Sequence, residues 1–213
     1  MKYLTSVWTT VFIFMLLLSA RAFDIPIVEQ IRLITFDKYI QSLPDKKSEE
    51  VIIVNIGENS LDKLGQFPFP RQTYAQMISD LREANAGMIG FTFMFPEADR
   101  FGGDEVFASW VKDNGIILSQ DADANGRSKT APYVGTAIKG IGDPYDFAYE
   151  YDGLVTNIPQ IEEQAWGVGL INSAQEVDNI TRRIPLISQV NDQLYPAFAL
   201  EIVRVLQDKK SYT

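Results

Sequence analysis

Neither cysteine nor histidine occurs anywhere in the 213 residues of this chain. The first absence removes disulfides, thiol nucleophiles and thiolate metal sites, and leaves the redox compartment open. The second removes a Ser-His-Asp triad, an imidazole general base and any histidine-ligated metal, and with them most common hydrolase mechanisms. Basic residues are scarce too: 19 Lys and Arg stand against 28 Asp and Glu, for a formal net charge of −9. A phosphate backbone demands a basic footprint, so nucleic acid is excluded as a partner and an anionic membrane surface is disfavoured.

What is present is enough apolar residue, 46% against 22% charged, to bury one sizeable core. The clearest topological signal is N-terminal. Between Lys2 and Arg21 nothing is charged, and the centre of that span, Val11 to Leu18, is continuously apolar. This predicts a membrane-entering segment over residues 1–22, either a retained anchor or a signal peptide cut near Ala20-Arg21-Ala22. Both place the rest of the chain outside the cytoplasm. Residues 23–44 then carry Ile27, Ile31, Ile34, Phe36, Tyr39 and Ile40 at helical spacing, which predicts a stalk helix packing on the domain. Pro44 to Glu50 reads as a solvated, charged linker.

The centre of the chain runs from Val51 to Asp104. Val51-Ile52-Ile53-Val54-Asn55-Ile56 is β-branched, short and bounded by Gly57, which predicts a buried strand. A loop from Glu58 to Arg71 ends in Phe67-Pro68-Phe69-Pro70-Arg71, where each proline pushes the preceding phenylalanine toward extended backbone. A helix over Thr73–Glu83, a strand over Met88–Phe95 and an acidic loop with Glu97, Asp99 and Asp104 follow. A second helix to Asn114, ended by Gly115, and a third strand, Ile116–Ser119, complete a βαβαβ pattern. The polar stretch from Gln120 opens as Asp121-Ala122-Asp123-Ala124-Asn125-Gly126, the first half of a calcium loop; its closing acid is missing, and a solvated loop tip is the alternative. Residues 132–159 read as irregular. Trp166–Asn172 reads as a glycine-containing strand with Trp166 in the core, Asp178–Leu186 as a turn feeding a strand with outward arginines, and Ala197–Leu206 as a last helix. The fold class is α/β, a mixed sheet with a parallel βαβαβ core, helices on both faces and antiparallel additions from the C-terminal third.

Several elements of this sequence occur together in one family. Arg32 and Phe36-Asp37, Ser60-Leu61 with Leu64-Gly65, Phe67-Pro68-Phe69-Pro70-Arg71, Phe95-Pro96-Glu97-Ala98-Asp99, Gly167 to Asn172, Asp178 with Arg182-Arg183-Ile184-Pro185-Leu186, and Tyr195-Pro196 with Ala199-Leu200 resemble the CHASE family, second type. These are the cyclase- and histidine-kinase-associated sensory extracellular domains. The resemblance spans about residues 23 to 206 and implies a sensor outside the cytoplasmic membrane that feeds a cyclase or kinase. Phenylalanine replaces both tryptophans of the family's Trp-Pro-Trp-Pro-Arg element. Members commonly carry an aspartate near the end of each of the first two strands, where this chain has Asn55 and Gly57 around the first and Thr92 in the second.

The candidate ligand-binding residues are Ser60, Phe67, Phe69, Arg71, Glu97, Asp99, Asp104, Asn172, Asp178 and Arg182. Each has a plainer reading beside it. The two phenylalanines either stack on a ligand or lock their loop to the core. Arg71 either presents a cation beside helix N-terminal amides or pairs with Glu97 or Asp99. The three acids either ligate a hard cation, act as an acid/base pair, or are surface loop residues. Asn172, Asp178 and Arg182 either meet at strand ends or make turns.

No catalytic residue, metal ligand or cofactor is assigned. Residues 45–208 are expected to form the sensor domain, with 209–213 a tail toward transmembrane and output parts. The expected partners are the membrane, through the N-terminal segment, a second copy in a homodimer, and an unidentified small-molecule or protein signal. The inner membrane, with the domain on the periplasmic or extracellular side, is the expected location. A carboxylate- or divalent-cation-dependent exported enzyme and a structural dimerisation module are the alternatives.

Overall fold

A computed structural model describes residues 7–22, 26–46, 48–123, 144–173 and 176–212. The chain divides into two compact units, Met1–Asn55 with Gln175–Arg182, and Ile56–Ala174 with Arg183–Thr213. The first unit carries helix α1, Val7–Ala22, and helix α2, Pro26–Ser42. Among the described residues no helix is long and apolar enough to cross a membrane. In α2 only Leu33 is buried, while Ile27, Ile31 and Ile34 are 57–68% exposed.

A departure from expectation is the run before Asn55. Val51 to Val54 forms no strand, and its side chains are 58–88% exposed. β-Branched residues favour extended backbone, yet a strand also requires a partner for its N–H and C=O groups. Among the described residues this run has none in a sheet.

The second unit is the α/β core. It contains α3 (Glu58–Leu64), α4 (Arg71–Glu83), β1 (Ile89–Phe91), α5 (Asp104–Lys112) and β2 (Ile116–Asp123). After a 3-10 turn at Pro144–Asp146 come β3 (Tyr149–Tyr151), β4 (Gly153–Val155), α6 (Pro159–Glu162), β5 (Gly167–Leu170), β6 (Ile187–Val190), β7 (Gln193–Pro196) and α7 (Phe198–Leu206). The strand β2 is central. It pairs in parallel with β1, Ile89 opposite Ile116, and with β5, Ile117 opposite Gly167, and antiparallel with β4, Asp121 opposite Val155. A second sheet joins β3 to β6 in parallel and β6 to β7 antiparallel. The fold is therefore mixed α/β with two mixed sheets. Its parallel core is β1, β2 and β5, one step later in the chain than the sequence pattern suggests.

Side-chain alternation sets the layers. Ile89, Phe91, Ile116 and Leu118 join Tyr74, Ala75 and Ile78 of α4 and Phe107, Ala108 and Val111 of α5 in one buried cluster. Gly90 faces the other way, where a Cβ would lie 2.7 Å from the Phe198 ring of α7. At Gly169 the approach is to backbone: a Cβ would sit 2.5 Å from the Phe198 Cα. Only glycine lets α7 seat this close on β5. The helix α4 ends at Ala84, and Asn85 follows at φ 65°, a left-handed stop that asparagine tolerates.

Local differences have local causes. The helix α3 lies inside what reads as a loop, since its seven residues include no buried apolar face. The strand β2 continues through Gln120–Asp123, which composition assigns to a polar loop, because β4 and β5 supply partners for its backbone. The strands β3 and β4 fall in a stretch expected to be irregular. Trp166 is half exposed, its indole N–H donating to the Lys112 carbonyl at 3.0 Å, rather than lying in the core. The second half of the calcium-like stretch, Ala124 to Gly126, lies outside the described residues; its start, Asp121–Asp123, is strand.

Candidate functional site

In the second unit, the candidates around Phe67–Arg71 converge with the acidic loop. The backbone of α4 begins at Arg71, directly after Pro70. The Arg71 guanidinium is buried. Its Nε donates to Asp104 Oδ1 at 3.1 Å, its NH2 group to the Glu97 carbonyl at 2.8 Å, and its plane lies 4.5 Å from the Phe95 ring centroid. Asp99 closes the ring from the other side. It accepts the Arg71 N–H at 3.1 Å, the Gly103 N–H at 3.1 Å and the Phe101 N–H at 3.2 Å, while its own N–H donates to Asp104 Oδ2 at 2.8 Å. Burial alone would push the Asp99 carboxyl up; these three amides and the Arg71 charge together bring it net below the usual range. Glu97 contributes its carbonyl, and its side chain is exposed.

The aromatic part of the loop is built on Tyr74. Its hydroxyl accepts the Phe69 N–H at 3.1 Å, and its ring touches Phe69, Phe91, Phe93, Phe95 and Phe107 at centroid distances of 5.3–6.3 Å. Phe69 is buried in this cluster. Phe67 stands edge-on to Phe69 and Phe93, at 5.8 and 5.6 Å, and keeps 42% of its surface exposed. It is the exposed member of the pair.

Ser60 lies on α3, with its N–H donating to the Gly57 carbonyl at 2.8 Å. Asn172 is held elsewhere in the same unit. Its side chain acts as a substitute strand partner for Ala122, accepting that residue's N–H at 2.6 Å and donating to its carbonyl at 2.9 Å.

Asp178 and Arg182 belong to the first unit, where they meet Asp37 of α2. Arg182 Nε and NH2 donate to the two oxygens of Asp37 at 2.7 Å each, NH1 and NH2 to Asp178 at 2.9 and 2.7 Å, and NH1 to Glu176 at 3.3 Å. The Arg182 side chain is 5% exposed, which corrects the expectation of outward arginines for this member of the pair. The guanidinium hydrogen bonds hold Asp178 down at about 2 and Asp37 below its ordinary value, and the same bonds from Asp37 and Asp178 raise Arg182. Nearby on α2, Arg32 pairs with Glu29.

Two buried networks carry residues that sequence reasoning missed. Glu162 receives Gln120 Nε2 at 3.0 Å, and the Asn157 N–H and Nδ2 at 3.0 and 3.1 Å; Asn157 also accepts the Phe95 N–H at 2.8 Å. Glu201, on α7, is fully buried and bonded to Arg204 at 2.7 Å and to Tyr212, whose hydroxyl burial and this carboxylate push up. The first network reaches from Asn157 to Phe95, 62 residues away, whereas Glu201 and Arg204 are neighbours at i,i+3 on α7. Among the described residues no group of three acids is placed to hold a metal ion.

The side chains singled out above are thus used mainly to fasten elements together within each unit. A comparison with protein families matches residues 9–213 to the CHASE2 domain. The chain belongs to the CHASE2 family, a family of extracellular sensory domains. No curated protein and no solved structure gives a match.

Proposed function

We propose that this chain is the signal-input part of a membrane-bound signalling protein, held at the inner membrane through residues 1–22 with residues 45–208 on the periplasmic or extracellular side. A small molecule or a protein is the signal, and a cytoplasmic nucleotide cyclase or kinase is the output. The observation that carries this reading is the Arg182 clasp: one guanidinium fastens Asp37 of the stalk helix to Asp178 and Glu176, 145 residues away along the chain at its longest link. A change in the segment around 176–182 then alters the hold on α2, and a helix near the membrane is a suitable exit for such a change. Phe67, exposed beside a rigid aromatic cluster, is the proposed point of ligand contact.

The test uses the whole membrane protein. Arg182→Gln is expected to shift the basal output of the attached cyclase or kinase and its response to stimulus; output unchanged in a normally folded variant counts against the reading. Sidedness is tested separately. The chain has no cysteine, so Phe147→Cys, at a position 89% exposed, introduces a single thiol. Labelling by a membrane-impermeant maleimide in cells with a permeabilised outer membrane and intact inner membrane is expected, and protection until the inner membrane is broken argues for the opposite orientation.

A further inference from the structure

The buried side chain of α7 is a charged one. Glu201 has no exposed surface, and no other residue of the helix is buried. A carboxylate taken out of water costs more than an apolar side chain of similar volume, so its place in the fold is explained by what it holds. Glycine clears the space it occupies: a Cβ at Gly167, the first residue of β5, would lie 2.4 Å from Glu201 Oε1. Arg204, one turn along α7, donates Nε to Oε2 at 2.9 Å and NH2 to Oε1 at 2.7 Å. The same guanidinium reaches two further segments, with NH1 donating to the Lys209 carbonyl and NH2 3.5 Å from the Trp166 carbonyl. The Tyr212 hydroxyl donates to Oε2. All of these residues lie in the second unit.

Beyond α7 the chain turns back on the helix. Asp208 takes φ 50°, a left-handed stop, and the N–H groups of Gln207, Asp208 and Lys209 donate to the Val203, Val205 and Arg204 carbonyls at 3.0–3.1 Å. Residues 207–212 contain no aliphatic side chain, and their one aromatic, Tyr212, is only partly buried. Side-chain hold on this segment is therefore polar, through Arg204 on the Lys209 carbonyl and Tyr212 on Glu201. The Glu201–Arg204 pair keeps its two parallel hydrogen bonds whether or not Tyr212 is docked, so the core does not depend on the segment staying in place.

From this geometry we infer that residues 207–212 are a latch that docks on Glu201 and Arg204 and leaves them, and that its docking sets the output of the protein. The inference rests on the sensory reading and adds to the Arg182 clasp a second regulated contact. A shift at the start of β5, where Trp166 and Gly167 lie against the same guanidinium and carboxylate, is the change the latch would register.

Two variants of the whole membrane protein test this, by amide exchange in detergent and by the output of the attached cyclase or kinase. Tyr212→Phe removes the hydroxyl alone. Exchange over 207–212 is expected to quicken about tenfold, the order set by one hydrogen bond to a charged group, with α7 and β5 unchanged and basal output shifted. Arg204→Lys keeps the charge but loses the fork that spans Glu201 and the Lys209 carbonyl, and is expected to move both readouts further in the same direction. Unchanged exchange over 207–212 in both variants would overturn the inference, and so would exchange in α7 and β5 rising together with it in Tyr212→Phe, which makes the cluster a brace of the core. A loosened segment with unchanged output overturns it as well; an output still sensitive to Arg182→Gln then leaves the sensory reading standing without the latch. Output moved by Tyr212→Phe but not by Arg182→Gln keeps the latch and removes the clasp.

Discussion

Arg71 and Arg182 are each nearly inaccessible guanidinium groups surrounded by acids, yet they fasten different things. The partners of Arg71 all come from residues 95–104: one carboxylate, one carbonyl and one aromatic face, with Asp99 on its backbone amide. It ties the start of α4 to the loop after β1, two neighbours in the same core. Arg182 instead gathers three carboxylates, and one of them, Asp37, is 145 residues distant on a helix with little else buried. The first joins two elements of one core; the second joins α2 to a segment distant in sequence within the first unit. Similar charge chemistry therefore serves two settings, and the difference lies in what else supports the elements joined.

The comparison predicts unequal effects. Arg71→Ala leaves Asp104 and Asp99 without their cation in a partly buried loop and is expected to cost about 3 kcal/mol of global stability, read from urea unfolding of the whole chain in detergent. A loss under about 1 kcal/mol would show that Arg71 is not structural. Arg71→Lys keeps the charge but loses the planar fork that reaches Asp104 and the Glu97 carbonyl together, so an intermediate loss of about 1–2 kcal/mol is expected. Arg182→Gln is expected to leave the urea midpoint of the α/β core nearly unchanged while amide exchange accelerates in α2. If both regions destabilise together, the two arginines do not differ as described.

Acid gives a smaller and more selective effect. Asp178 and Asp37 are both held below their ordinary values, so the clasp contributes its full stabilisation above the unfolded carboxylate range near pH 4. That contribution fades as pH falls from about 4 toward the folded value of about 2 for Asp178. Asp99 is also lowered, so the acid loop follows the same sign. Exchange of α2 amides is expected to be constant from pH 7 to 4, after correction for intrinsic rates, and to rise below that. A rise already at pH 6 would contradict the assignment.

Where the sequence shows periodic apolar spacing and a stop, the elements are legible. The helices α4, α5 and α7 are expected within a few residues of where they occur, and the glycine-containing strand is found at β5. What is illegible depends on partners. Val51 to Val54 has the composition of a buried strand, but pairing is a property of two segments, and composition reports only one. For the same reason Gln120–Asp123 looks like a loop until β4 and β5 supply its partners. An ion pair from Arg71 to the acidic loop is legible in the sequence, but with Glu97 or Asp99 as partner; the guanidinium pairs instead with Asp104, while Glu97 gives its carbonyl and Asp99 takes the Arg71 backbone N–H. Arg182 reads as outward because Arg-Arg is polar, and nothing within ten residues announces Asp37. Glu162 and Glu201 are invisible for a related reason, since a buried carboxylate is intelligible only with its hydrogen-bond donors in view.

The exposed run Val51 to Val54 has a practical side. Four β-branched, uncharged and exposed residues in a row form the kind of segment that recruits another like itself. Glu49 and Glu50 stand immediately before it, where flanking charge opposes such pairing. Neutralising those two glutamates is therefore expected to lower the concentration at which the chain aggregates, as read by light scattering.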